Sequence, residues 1–155
     1  MGLSIREQAL SNMTGLFAGM DAAMPLADPY GVQFDYVRRN PLDEDSWKKR
    51  LTLGVHDTNE IVEQKISIAM RQLQVVLEFR CTLQTGEVAS TVGNAVIGAI
   101  QRRVWEDKTL GGTVIDVVET QNETYIDDFD HRQLSGAVFL KIIYRTRDSD
   151  PRRQT

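Results

Sequence analysis

The sequence predicts an α+β domain with two main helices packed on one face of a mostly antiparallel sheet that includes a long hairpin. Apolar residues recur every three or four positions in two segments, and they alternate in several others. The segments follow the order helix, strands, long strand, helix, strand, strand, which is typical of α+β folds. A chain of 155 residues with 41% hydrophobic content suits one domain. We expect this domain over residues 1–146 and a polar, disordered tail over residues 147–155.

The first helix is predicted from about Ile5 to Met20. Ser4 and Glu7 have the spacing of a capping box, and the apolar residues that follow have helical spacing: Ile5, Ala9, Met13, Leu16 and Met20. Residues 21–41 contain three prolines, so we expect a loop there with at most one short strand, "VQFDYVRR".

Two alternating stretches predict the hairpin. Residues 51–55 alternate as a half-buried strand should, and "HDTNE", residues 56–60, has the composition of a turn. Beyond it, one face of a long strand is apolar, which indicates an antiparallel sheet with its other side open to water or a partner: Leu73, Val75, Leu77, Phe79, Cys81 and Leu83.

The second helix is predicted within residues 85–112, with Gly111 or Gly112 as its stop. Gly93 and Gly98 inside it either permit close packing on the sheet or are merely tolerated. Two more strands are predicted at "TVIDVVE" and "GAVFLKIIYRT", and the second places Val138, Leu140, Ile142 and Tyr144 on one face. Between them, residues 124–136 are expected to form a charged loop.

That loop is the first candidate for chemistry. Asp127, Asp128, Asp130 and His131 could supply metal ligands, but their spacing lacks the EF-hand pattern and His131 has no second histidine three or four positions away. We therefore expect a solvated loop.

The other titratable candidates also favour ordinary roles. His56 beside Asp57 could act as a general base but more often such a residue is polar surface. Cys81 belongs to an apolar strand face and is expected to be a buried hydrophobe. The sequence therefore predicts no catalytic residues, no metal site and no cofactor.

Composition limits the partners. A net charge of −4 with both signs well represented argues against a protein whose main task is to grip nucleic acid. A single cysteine requires no oxidising compartment, and no apolar run is long enough for a membrane helix. We expect a soluble protein made in the cytoplasm, with no membrane partner.

Charge is unevenly distributed along the chain. Residues 109–131 contain six acids and no lysine or arginine: Asp116, Glu119, Glu123, Asp127, Asp128 and Asp130. Such separation can serve subunits that join unlike faces in a ring, and it can equally be a solvated edge.

The C-terminal third contains "TVIDVVET", an acidic loop leading into "FDHRQLSGAVFLKIIYRT", and "DSDP". This arrangement resembles the tail terminator (tail completion) proteins of long-tailed bacteriophages, the group that includes the lambda-like minor tail protein U. The helix "REQALSNMTGLFAGM", the hairpin around "LTLGVHDTNEIVEQ" and the strand "LQVVLEFRCTL" fit the same order. The likeness thus spans most of the chain, although the family has no invariant signature.

The resemblance implies a virion protein without enzyme activity. It would form a hexameric ring that caps the tail tube, ends tube polymerisation and joins a neck or head-completion protein at the head-proximal end of the tail. Tail tube protein would be a second partner, and DNA would pass through the channel without specific binding.

Two site hypotheses follow within that frame. The six acids would line or rim the channel, where they would repel phosphate. The predicted turn from His56 to Gln64 would contact the tube or a neighbouring subunit, through His56, Asp57, Asn59, Glu60 and Glu63. The alternatives are another ring protein of the neck or tube, a small metal-dependent enzyme that uses His56 or the acidic loop, and a ligand-binding module.

Overall fold

The structure, a computed structural model, describes residues 3–18, 32, 34–43, 50–127 and 132–147. In chain order its elements are α1 (Ile5–Ala18), β1 (Tyr36–Arg38), β2 (Leu51–Lys65), β3 (Ile68–Thr82), α2 (Ala89–Glu106), β4 (Asp116–Ile126) and β5 (Gln133–Arg147). The strands form one sheet in the order β1-β2-β3-β5-β4. Only β1 and β2 pair in parallel, and the other pairings are antiparallel. The α+β prediction is therefore confirmed.

One core lies between the two helices and one face of the sheet. The predicted apolar faces of β3 and β5 are buried there, including Leu77, Phe79 and Val138, and α2 contributes Val96 and Ile100. β2 and β3 form the predicted long hairpin, with fifteen residues in each strand. This arrangement leaves the opposite face of the sheet without a helix among the described residues.

The start of α1 is as the sequence predicts. The backbone N–H of Glu7 donates to Ser4 Oγ at 3.1 Å, which is one half of the capping box. The described helix runs to Ala18, and the predicted end at Met20 lies outside the described residues. The short strand expected in residues 32–39 is β1.

The predicted turn at residues 56–60 is wrong. This segment continues β2, and the hairpin turns at Ile66 and Ser67, where Ser67 has a φ of 68°. The irregular segment forms a β-bulge between Asp57 and Glu60. The chain stays in the sheet because β2 pairs with the long β3 both before and after this bulge. Residues 51–55 are also fully buried rather than half-buried, since residues 40–42 cross the outer side of β2 at Gly54.

Two further boundaries differ from the prediction. α2 ends at Glu106, and Gly111 and Gly112 occupy the left-handed region in a separate turn, with φ values of 72° and 82°. The loop expected over residues 124–136 is mostly strand, because β4 continues to Ile126 and β5 begins at Gln133. Gly93 supports the close-packing interpretation, since a Cβ there would lie 3.2 Å from Thr124 Cγ2.

Candidate interaction edges of the sheet

Four of the six acidic residues predicted to line a channel lie on or directly after an edge strand of the sheet. Asp116, Glu119 and Glu123 belong to β4, the last strand in the sheet order, and Asp127 follows it directly. Asp128, Asp130 and the loop histidine His131 lie outside the described residues. The structure of one chain therefore places three of the acids on β4 and leaves the channel hypothesis a prediction.

These acids do not form one uniform negative strip. Asp116 forms an ion pair with Lys108 at 3.2 Å. A cation that precedes the acid-rich part of the sequence therefore neutralises one of the six acids. Glu119 lies on the helix side and accepts hydrogen bonds from Gln101 of α2, at 3.0 and 3.1 Å, and from Asn122. Glu123 lies on the other face, in a row across the sheet with Glu78 and Ala137.

The residues predicted to contact the tube or a neighbour divide into two groups. Asn59 and Glu63 are exposed, and His56 is half-buried on the outer face. Asp57 and Glu60 instead bond within the molecule: Arg6 donates to Asp57, and Arg71 donates to Glu60 at 2.7 Å. The latter two carboxylates hold the bulge to the rest of the domain.

The network at the bulge extends into the core. The hydroxyl of Tyr144, a residue that is 3% exposed, donates to Glu60, and Arg71 Nε donates to Thr146 Oγ1 at 2.8 Å. Burial, and then the hydrogen bond to Glu60, raise the pKa of Tyr144. Although partial burial works against it, the hydrogen bond from Arg6 holds the pKa of Asp57 below its usual range. Strong charge-assisted bonds therefore tie α1, β2, β3 and β5 together at one place.

We predict a specific alkaline loss of stability from Tyr144. Its raised pKa means that the folded state keeps a proton that the unfolded chain releases from about pH 10 upward. The stabilisation is complete below about pH 10 and is lost as the pH rises further. The urea midpoint should decrease from pH 8 to pH 11, and this decrease should be smaller in Tyr144→Phe than in the wild type. Tyr125→Phe, at an exposed ring, is the control and should follow the wild type.

A shallow groove crosses the outer face of the sheet. It has a volume of about 600 Å³ and is lined by His56, Val76, Glu78, Glu123, Tyr125 and Phe139, among others. Val76 and Phe139 are directly paired across β3 and β5. Between residues 72 and 82, Val76 is the one apolar residue of β3 on the outer face, so the amino-acid sequence itself marks this apolar point.

Exposed apolar side chains concentrate at two places. Of eleven large exposed hydrophobic residues among those described, seven belong to β2 and its turn or to β4 and its lead-in: Ile61, Val62, Ile66, Ile115, Val118, Tyr125 and Ile126. Among the described residues, β4 pairs on one side only, with β5, and β1 pairs with β2 only at residues 52–54. We name residues 116–126 the β4 edge and residues 55–65 the β2 edge.

A second cavity lies where β2 and α2 begin, near Cys81. It measures about 310 Å³, and Arg50 and Glu87 form an ion pair at 2.8 Å in its wall. Burial raises the pKa of the Cys81 thiol, which opposes formation of a nucleophilic thiolate. The expected role of Cys81 as a buried hydrophobe therefore agrees with its position in the core.

Neither a metal cluster nor a membrane helix is found in the part of the chain that the structure describes. No three His, Cys, Asp or Glu residues there could hold a metal ion together. Similarly, no described helix is long and apolar enough to cross a membrane.

Comparison of the sequence with protein-family models gave no match, and comparison with curated proteins gave none either. The family resemblance therefore stays a prediction that rests on the pattern of the chain.

Proposed function

We propose that the protein is a structural ring subunit, and specifically the terminator that caps a phage tail tube. The observation that carries the proposal is the pair of sheet edges with exposed apolar residues. Strand edges without partners are ready templates for another chain, and proteins usually blunt them. Here both edges are long and hold five of the eleven large exposed hydrophobic residues among those described. These features support self-assembly, while the tail assignment rests on the family resemblance.

A ring subunit needs two different surfaces for its neighbours and further surfaces for axial partners. The two edges lie on opposite sides of one sheet, which is the arrangement that head-to-tail contacts around a ring require. The ends of the strands and the outer sheet face remain for tail tube protein and for a neck or head-completion protein. Such a ring would end tube polymerisation by covering the last layer of tube subunits, and it would stay in the virion.

The proposal gives the acids a physical task. In a ring with a channel, carboxylates such as Glu123 would repel DNA phosphates, so that DNA passes without specific binding. This hypothesis requires β4 acids at the channel wall or rim. A structure of the assembled ring in which the sheet face that carries Glu123 forms the outer wall would exclude it.

We predict that the purified protein forms closed rings of defined mass, or caps added tail tubes as it assembles on them. Light scattering over a range of concentrations measures the mass, and electron microscopy of the same samples shows the shape. Tubes grown with the protein present should be shorter and end in an added ring. An equal concentration of an unrelated acidic protein of similar size is the control.

Other outcomes select other functions. Long cylinders would indicate a tube protein, and rings that ignore tube ends would indicate a different neck component. A monomer or dimer at every concentration, with no effect on tubes, would contradict the proposal. That outcome would favour a ligand-binding module or a small metal-dependent enzyme. In the enzyme, His131→Ala should remove bound metal or activity.

A further inference from the structure

We infer that the β4 edge of one copy joins the β2 edge of the next copy as an added antiparallel strand pair. The inference rests on the proposed ring, because it specifies how neighbouring subunits would meet. Its result would be a sheet that continues from subunit to subunit, with main-chain hydrogen bonds across every interface.

Strand direction supports this pairing. The strands β2, β3, β5 and β4 are joined by three successive antiparallel pairings, so β2 and β4 run in opposite directions. When two copies stand side by side in the same orientation, the β4 edge of one therefore meets the β2 edge of the other antiparallel. Within one copy Asp116 is level with Ile61 and Tyr125 with Thr52, so pairing of the whole β4 edge with the β2 edge requires strands that are tilted to the ring axis, as in a barrel. Rotation about that axis then repeats the same contact in every subunit and can close a ring.

The two edges also match in extent. β1 covers β2 only at residues 52–54, so the β2 edge begins at Val55 and reaches Lys65. β4 has eleven residues, and among the described strands it pairs only with β5. Each edge contains one bulge, between Asp57 and Glu60 in β2 and between Glu119 and Gln121 in β4. Pairing along these lengths would bury main-chain groups that single copies leave to water.

The exposed side chains indicate that both faces of each edge become covered. Adjacent residues of a strand point to opposite faces. Ile61 and Val62 are adjacent and are 53% and 41% exposed, while Tyr125 and Ile126 are adjacent and are 60% and 38% exposed. A strand with one buried and one solvated face would carry apolar side chains on the buried face only, whereas these strands expose apolar side chains on both faces. A neighbouring sheet would cover both faces at once.

Charge favours the unlike pairing over pairing of like edges. Two β4 edges would place Glu119 and Glu123 against a second set of the same acids, which costs stability. The β2 edge contains three acids and Lys65, but Arg6 pairs with Asp57 and Arg71 pairs with Glu60. This leaves Glu63 beside Lys65, with no net charge. The negative edge therefore suits the other edge of a second copy better than it suits its own.

Lysine placed on each edge tests the inference. Lysine blunts a strand edge, so Tyr125→Lys should disable the β4 edge and Ile61→Lys the β2 edge. Either variant alone should lose rings entirely, because every contact needs one edge of each kind. Mixed in equal amounts, the two variants should form a species of two copies and nothing larger. Val88→Lys, at an exposed apolar residue on neither edge, should assemble like the wild type.

A cross-link provides the second measurement and does not depend on disrupting the ring. A photoreactive phenylalanine analogue replaces Tyr125 in otherwise native protein, and mass spectrometry locates the adduct after irradiation of the assembled sample. The expected adducts fall in residues 55–65 of another copy. Where rings form only on added tubes, both measurements are made with the tubes present.

The outcomes separate this inference from the proposed function. Rings that survive both lysine variants, or adducts between two β4 strands, overturn strand addition while leaving a tail cap possible. Two-copy species from the mixture, with no capping of tubes, support strand addition and contradict the tail cap. A wild-type protein that never associates, with or without tubes, overturns both.

Discussion

Replacing Glu60 with alanine is expected to lower the free energy of unfolding by about 3–5 kcal/mol, the range for breaking a buried ion pair. The carboxylate accepts from Arg71 at 2.7 Å and from Tyr144, and its side chain is only 10% exposed. Without it, the Arg71 guanidinium, 22% exposed, keeps its charge but loses its counterion, and the Tyr144 hydroxyl loses its acceptor. Urea unfolding followed by circular dichroism would measure the change.

Glu63 offers a matched control on the same strand. Its side chain is 72% exposed, and its nearest cation is Lys65 at 4.0 Å. Glu63→Ala should therefore change stability by no more than about 0.5 kcal/mol, as is usual for exposed pairs and surface positions. Equal effects of the two substitutions would show that the network at the bulge does not stabilise the fold.

The Glu60 result would also clarify how the β2 edge is held in place. Arg6 ties α1 to the bulge at Asp57, and Glu60 ties the bulge to β3 and β5. Beyond the bulge, Ile61 and Val62 are exposed, so this part of β2 is held by its pairing with β3 and by the side-chain bonds at the bulge. Asp57 and Glu60, which the sequence predicts as contact residues, also support their exposed neighbours within the domain.

The sequence predicted the elements whose pattern is local. The alternation in β3 and β5 reports a single buried face, and that face is determined by residues two positions apart. The capping box of α1 is equally local, since Ser4 and Glu7 are in the same turn. These features needed no knowledge of the rest of the chain.

The misplaced hairpin turn and the candidate edges depend on distant residues. "HDTNE" has turn composition, but Asp57 is satisfied by a residue 51 positions away, and Glu60 by Tyr144, 84 positions away. Which strands form the edges depends on the order β2-β3-β5-β4, in which β5 lies between two strands that precede it in the chain. No local pattern distinguishes an edge strand from a central one with the same exposed residues.

Replacing Gly136 with alanine is expected to destabilise the fold by about 1–3 kcal/mol, the usual cost of overfilling a packed core. A Cβ at this position would lie 2.5 Å from Cζ of Phe79 and 2.6 Å from the backbone oxygen of Glu123. The ring of Phe79 is itself fully buried, and the oxygen belongs to β4. Neither neighbour can move aside without disturbing the core or the β4–β5 pairing.

Gly15→Ala is the control, and its effect should have the opposite sign. Gly15 lies inside α1 with nothing within 4 Å of an added Cβ, so alanine should stabilise the helix by up to about 1 kcal/mol. Urea midpoints of the two variants test the contrast, and a neutral Gly136→Ala would show that β4 yields freely. Hydrogen exchange shows which strand yields. If the increase in exchange rate over the wild type is larger in residues 119–126 than in β3, β4 moves away from β5. Since β4 is the edge that the proposed ring uses, that variant should also assemble less well.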